Sequence, residues 1–149
     1  MKKINVIALE SSGRHWVDSL LRQNPELEVW GASFPYDPWP DRRYLPLPED
    51  ADALVVVVRD RNCQEKSVQN RDYNQGAPEG EFTPDKNRAA IEIEIARARQ
   101  RSLPVYFFDY EAALLYRQTY LDWFFRLLGV PPVTIQTDWR DENRKYFYG

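Results

Sequence analysis

Four short apolar runs mark the chain and predict β-strands. They cover residues 4–9, 27–30, 53–58 and 105–108. The run at 53–58 consists of Ala, Leu and four valines, and such a continuous apolar run is typical of a strand covered on both faces of a parallel sheet. We therefore expect the 53–58 strand at the centre of the sheet.

Segments with helical spacing of apolar residues alternate with these strands. The first predicted helix begins at Arg14 and ends before Asn24, and the others cover residues 64–70, 85–100 and 112–128. In the last helix a stripe of large apolar residues is predicted to face the core, with a glycine as the C-terminal cap. The stripe and its cap are Tyr116, Tyr120, Trp123, Phe124, Leu127, Leu128 and Gly129.

This alternation predicts the fold class. We expect one α/β domain over residues 1–149, with a central parallel sheet of about four or five strands flanked by helices. Residues 34–48 and 72–84 are rich in proline or glycine and are predicted to be loops. The aromatic residues of the first loop either line a ligand pocket or pad the sheet. The aromatic and charged tail from Pro131 packs over the sheet or against a partner.

The charged residues and the cysteine content exclude several classes of function. The chain has 20 basic and 23 acidic residues interspersed along its length, so it has no broad basic face for a nucleic-acid backbone. Cys63 is the single cysteine, which excludes an intramolecular disulfide and a zinc site built from cysteines. The first apolar run is too short for a signal peptide or a membrane span. We expect a cytoplasmic protein that binds neither nucleic acid nor membrane.

Two polar segments follow predicted strands. After the first strand, Ser11, Ser12 and Gly13 form a turn of small residues that leads into a helix. Such a turn directs backbone N–H groups and the positive end of the helix dipole at an anion, although the Walker pattern G-x-x-x-x-G-K-[ST] is absent. After the 53–58 strand comes Arg59, and Ser67 follows eight residues later.

These segments resemble motifs of the sulfotransferase family. The family has a loop of the type Y-P-K-S-G-T-T-W after its first strand, and this chain has Ser12, Gly13 and Trp16 at the matching places. The family also has a strand that ends in Arg with a Ser eight positions later, as at Arg59 and Ser67. The spacing of both motifs is therefore similar to that of the family.

Two later segments extend the resemblance. Residues 108–112 resemble the family's Y-E-D-L turn, and residues 123–131 resemble its F-L-G-L-P helix end. The matches follow the family's order and cover most of the chain. They imply a short and divergent member with a three-layer P-loop-type fold, which uses 3′-phosphoadenosine-5′-phosphosulfate as co-substrate and needs no metal.

The resemblance also implies which residues bind the nucleotide. Arg59 and Ser67 would bind the 3′-phosphate, since a guanidinium donates two parallel hydrogen bonds to phosphate and a hydroxyl donates a third. The residues of the first turn would hold the 5′ end. They are Ser11, Ser12, Gly13, Arg14, His15 and Trp16. The alternative for Arg59 is a surface charge paired with Asp60 or Glu65.

The first turn lacks a residue on which catalysis in the family depends. The family's loop lysine, which stabilises charge on the oxygen between phosphate and sulfate, is replaced by Ser11. Arg14 is the predicted catalytic substitute, although Glu10 brings a negative charge to the same turn. His15, the single histidine, is the predicted general base, and Glu10 and Asp37 are alternatives.

Three functions are compatible with these residues. The first is an enzyme that transfers a sulfuryl group from the nucleotide to a hydroxyl or amine of an unidentified acceptor. The second is a non-catalytic relative that binds a nucleotide or a partner protein. The third is a small P-loop nucleotide kinase, which needs a lysine in the first turn and a Ser or Thr that binds Mg²⁺ after it. Neither kinase pattern is present, so the third ranks last.

Overall fold

The structure, a computed structural model, has an α/β fold with one parallel sheet. It describes residues 1–9, 12–34, 48–71 and 84–148. The strands are β1 (Lys2–Leu9), β2 (Leu27–Phe34), β3 (Ala53–Val58) and β4 (Val105–Asp109). The helices are α1 (Arg14–Leu21), α2 (Arg61–Arg71), α3 (Pro84–Gln100), α4 (Tyr110–Tyr116), α5 (Gln118–Leu127) and α6 (Arg144–Tyr148). The predicted fold class is confirmed.

Strand pairing brings β1 and β3 together at the centre of the sheet. The strand order is β2-β1-β3-β4, and every neighbouring pair is parallel. In the central pair Ala8 lies opposite Val57, so Leu9 and Val58 end their strands at the same edge. The central position predicted for the 53–58 strand is confirmed.

Apolar side chains on the two faces of the sheet form two separate cores. On the first face Val6 and Val55 pack with residues of α1 and α5. On the second face Ile7 and Val56 pack with residues of α3. Because neighbouring residues of a strand point to opposite faces, a strand with helices on both sides is apolar at every position. The protein therefore has three layers, with the sheet between the helices.

The strands that follow β1 in the sequence lie on opposite sides of it in the sheet. β2 is added on one side of β1, and β3 is added on the other side. The helix after β1 packs on the first face, whereas α3, which precedes β4, packs on the second. Helices that diverge in this way leave a crevice at the carboxyl ends of the two strands, which is where open α/β sheets bind ligands.

The single helix predicted at 112–128 is wrong. The segment is divided into α4 and α5 by Arg117, which has a φ of 51°. A residue with a positive φ interrupts a right-handed helix, so Tyr116 does not continue the stripe of α5 and is 60% exposed. Apolar spacing carries no information about this backbone angle.

Half of the predicted stripe faces the core. Tyr120, Phe124 and Leu128 are buried in a row, whereas Trp123 and Leu127 lie beside that row and are exposed. Gly129 ends α5 as predicted, with a φ of 77° and with the Val130 N–H donating to the Phe125 carbonyl over 3.0 Å.

Several boundaries also differ from the prediction, chiefly at the end of β2 and the start of α2. Phe34 is the last residue of β2 rather than the first of a loop, and α2 begins at Arg61, three residues earlier than predicted. The rest of the predicted loops, residues 35–47 and 72–83, lies outside the described residues. None of the helices in the described ranges has the length and apolarity that crossing a membrane requires.

Gly13 provides a test of how tightly the first turn is packed. Its φ is 81°, and a Cβ built on it would lie 2.7 Å from Cδ2 of Tyr110. We expect Gly13→Ala to lower the free energy of unfolding by ~3 kcal/mol, because the left-handed penalty and the clash add. Urea denaturation measures this loss.

Gly129→Ala is the matched control. Its φ is 77°, but the nearest heavy atom to an added Cβ is Nζ of Lys2 at 4.0 Å. This variant incurs the backbone penalty alone, about 1 kcal/mol. Equal losses in the two variants would contradict the close packing of Tyr110 on Gly13.

Candidate functional site

A cavity of about 270 Å³ lies in the crevice between the ends of β1 and β3. Leu9 and Ser12 line it from the end of β1, and residues 56–59 line it from β3. Ile91 of α3 closes the apolar part of the wall. The volume is near the lower end of the ~300–1,000 Å³ of small-molecule pockets. A cavity of this size encloses a compact group, and a larger ligand would extend from it along the crevice.

The charged part of the lining is mainly cationic. Among the described residues it contains Arg59, Arg61 and Arg88, with Glu92 as the acidic side chain. Guanidinium groups bind phosphate and sulfate through charge-assisted hydrogen bonds, which are strengthened where water is partly excluded. Arg61 is in addition linked to Glu65, with 2.6 Å between Nε and Oε1. An excess of positive charge in this lining favours an anionic ligand.

Ser12 and Gly13 form the turn that the sequence predicts. Ser12 is buried, and its N–H donates to the Leu9 carbonyl over 3.1 Å. Gly13 is the N-cap of α1 in a left-handed conformation, and its carbonyl accepts from the Val17 N–H over 3.1 Å. The first N–H groups of any α-helix point toward the preceding turn, and at α1 no side chain of the N-cap residue accepts from them. Ser11 lies outside the described residues.

Arg14 points away from the cavity, toward β2. Its guanidinium forms an ion pair with Asp18 one turn later in α1. Both side chains lie directly against Gly31 of β2, where a Cβ would collide with them. Burial raises the pKa of the Asp18 carboxyl, and the positive charge of Arg14 opposes that rise. Because β2 and β3 flank β1 on opposite sides, this pair is separated from the cavity by one strand.

His15 and Trp16 also lie outside the cavity lining. His15 is exposed, and its Nε2 is 3.2 Å from Nη2 of Arg14. Trp16 packs edge-on against Tyr110 with 5.2 Å between ring centroids, and its Nε1 donates to Thr137 over 3.0 Å. Trp16 therefore joins the turn to the C-terminal part of the chain.

Arg59 follows β3 and reaches the cavity lining from the opposite side of the crevice to Ser12. Its Nε donates to Oδ1 of Asn143 over 2.7 Å. The guanidinium carbon lies 4.8 Å from the centre of the Tyr110 ring and 5.8 Å from that of Tyr146. These ring contacts and the hydrogen bond to a neutral amide hold the Arg59 side chain in place.

Ser67 is buried in α2 and is not part of the cavity lining. Of the predicted residues, the cavity therefore brings together Ser12 and Arg59. Sequence reasoning missed Arg61 and Arg88. Arg61 could have been found from the sequence, because it follows the same strand end as Arg59. Arg88 could not, because it reaches the cavity only through the packing of α3 over β3.

Comparison with known proteins gives no match: no protein-family model, no curated protein and no solved structure matches this chain. Within the described ranges no group of three or more His, Cys, Asp or Glu is placed to hold a metal ion. The function of the chain is therefore inferred from the crevice and its charged residues.

The junction after β3 is held by a helix cap. Asp60 precedes α2, and its Oδ1 accepts a hydrogen bond of 2.9 Å from the Cys63 N–H. This hydrogen bond to the backbone of Cys63 lowers the pKa of Asp60. A carboxyl whose pKa is lowered by folding stabilises the protein above its ordinary pKa, and loses that effect as the pH falls through the folded value.

Asp60→Ala is expected to lower the free energy of unfolding by ~1 kcal/mol at neutral pH, as for other N-cap losses. The difference from wild type should shrink as the pH falls below the ordinary value of 3.8. Asp60→Asn is the control, because its amide oxygen caps at every pH. Chemical denaturation between neutral and acid pH measures these differences. If the free energies of unfolding of wild type and Asp60→Ala differ by the same amount at neutral and at acid pH, the ionised Asp60 carboxylate does not act as the cap.

Proposed function

We propose that the chain binds 3′-phosphoadenosine-5′-phosphosulfate, or the bisphosphate that remains after transfer, across this crevice. We propose further that it transfers the sulfuryl group to a hydroxyl or amine acceptor in the reducing cytoplasm. The observation that carries the proposal is that Ser12 and Arg59, from two different strand ends, line one cavity. A nucleotide with phosphates at both ends of its ribose needs two such anchors.

The two anchors suit the two phosphates for different reasons. The turn at Ser12 and Gly13 offers backbone N–H groups and the positive end of α1, which favours the 5′ end. Arg59 offers a planar guanidinium, which matches the geometry of a phosphate monoester at the 3′ position. Arg61 and Arg88 add positive charge to the cavity lining.

Sulfuryl transfer breaks the bond between sulfur and the bridging oxygen of the nucleotide and forms a new bond from sulfur to the acceptor. The leaving bisphosphate gains negative charge, and the acceptor loses a proton to a base. Because Arg14 is paired with Asp18 and Arg61 with Glu65, Arg88 of the cavity lining is the stronger candidate to stabilise that charge. Glu92 lines the cavity while His15 does not, so Glu92 is the stronger candidate for the base.

A second candidate function is binding without turnover. It is favoured by the ion pair between Arg14 and Asp18. Arg14 is the residue expected to replace the missing loop lysine, and the pair holds its guanidinium away from the cavity. In that case the bisphosphate binds as a regulatory ligand or as a bridge to a partner protein.

Ligand binding separates the candidates from a kinase. Adenosine 3′,5′-bisphosphate at about a hundredfold excess over its dissociation constant should stabilise the fold by ~2.7 kcal/mol, because only the folded chain has the crevice. ATP with Mg²⁺ should stabilise it less. Thermal unfolding with each ligand measures this stabilisation. Stabilisation by ATP with Mg²⁺ alone would contradict the proposal.

Arg59→Ala should weaken bisphosphate binding about tenfold or more, because it removes a charge-assisted hydrogen-bond donor. Arg140→Ala, at an exposed arginine, is the matched control and should keep the wild-type affinity.

Turnover separates the enzyme from the non-catalytic relative. With donor labelled in its sulfur and a panel of hydroxyl and amine acceptors, wild type should transfer label. Glu92→Gln should lower kcat by about 10²–10⁴ as a lost general base does, with bisphosphate affinity little changed. His15→Gln is the comparison variant and should keep most of kcat. Bisphosphate binding without any transfer supports the second candidate, and a large loss in His15→Gln alone contradicts the assignment of Glu92.

A further inference from the structure

The C-terminal segment, residues 141–146, lies against the junction between β3 and α2. Lys66 of α2 donates to the Tyr146 carbonyl over 3.1 Å. Within the segment, Asp141 accepts from the Asn143 N–H over 2.9 Å, and the Tyr146 N–H donates to the Asn143 carbonyl over 2.8 Å. The segment therefore has a defined shape where it meets the crevice.

Asn143 is the residue of this segment that reaches Arg59. It is buried, with 3% of its surface exposed. Its Oδ1 accepts from Nε of Arg59 over 2.7 Å, and its Nδ2 donates to Oε1 of Glu111 over 2.5 Å. The same Glu111 oxygen accepts from the Asp60 N–H over 3.1 Å. The Asn143 side chain thus links Arg59, through Glu111, to the backbone N–H of Asp60 just before α2.

These contacts restrict the guanidinium in two ways. A guanidinium is a planar group with its donors in a fixed fork. The hydrogen bond that Nε donates to Asn143 fixes one edge of the guanidinium, and the centres of the Tyr110 and Tyr146 rings lie 4.8 Å and 5.8 Å from its central carbon. An arginine that is already oriented loses less side-chain entropy when it binds an anion.

We infer that Asn143 is a positioning residue that orients Arg59 toward the 3′-phosphate, and that the C-terminal segment thereby makes the site selective for 3′-phosphorylated nucleotides. The inference rests on the proposed function, since it names what selects the nucleotide at that site. It assigns to residues 141–146 a role in ligand choice, although they lie more than 80 positions after Arg59 in the sequence.

The test compares two nucleotides that differ only in the 3′-phosphate. Isothermal titration gives the affinities for adenosine 3′,5′-bisphosphate and adenosine 5′-monophosphate. In Asn143→Ala, affinity for the bisphosphate should fall about tenfold, a loss comparable to that of one charge-assisted hydrogen bond. Affinity for the monophosphate should change less than about twofold, because it has no group for Arg59 to bind.

A double variant separates positioning from a general loss of structure. In an Arg59→Ala background, adding Asn143→Ala should change bisphosphate affinity no further, since the group that Asn143 orients is gone. Arg140→Ala, at an exposed position beside the segment, should keep wild-type selectivity. Glu111→Gln keeps an oxygen acceptor for Asn143 and should keep most of the selectivity.

The outcomes distinguish this inference from the proposed function. A wild-type chain that binds neither nucleotide, or binds both equally, contradicts the proposed function and the inference together. A wild-type chain that prefers the bisphosphate, with an Asn143→Ala variant of unchanged preference, overturns the inference alone. Equal losses for both nucleotides in Asn143→Ala would also overturn it, because they indicate a structural role only.

Discussion

The parallel pairing of β1 with β3 is the constraint on which the rest of the structure depends. The register that sets Ala8 opposite Val57 brings Leu9 and Val58 to one edge of the sheet. Since β2 is added on the far side of β1, the helices that follow the central strands pack on opposite faces. The crevice between them follows from strand order, and the cavity lies in it.

The crevice places charge and backbone donors on facing walls. The β1 side contributes a tight turn, which Gly13 makes possible through its left-handed backbone. The β3 side contributes Arg59 and Arg61, and α3 adds Arg88. Arg14, by contrast, is partly buried beside Asp18, against β2 on the other side of β1. Arg14 therefore lies outside the cavity lining although it is only two residues from Ser12, whereas Arg59, Arg61 and Arg88 line the cavity with Ser12.

The strands were predictable because their chemistry is local. A run of valines buried on both faces has few alternatives to a central parallel strand, and 53–58 is such a run. The break at Arg117 was not predictable, since a positive φ at an arginine leaves no mark in the apolar pattern. Trp16 matched a motif position but packs on Tyr110. Arg88 and Asn143 reach the site only through packing between distant segments, which one sequence does not reveal.

Amide hydrogen exchange with and without adenosine 3′,5′-bisphosphate tests the central claim most directly, because it reports on both walls of the crevice at once. We expect slower exchange in the turn and first residues of α1, around residues 12–17, and at the start of α2, around residues 60–64. Both segments should respond at the same ligand concentration. If the bound nucleotide slows exchange in only one of the two segments, or in neither, it does not span the ends of β1 and β3.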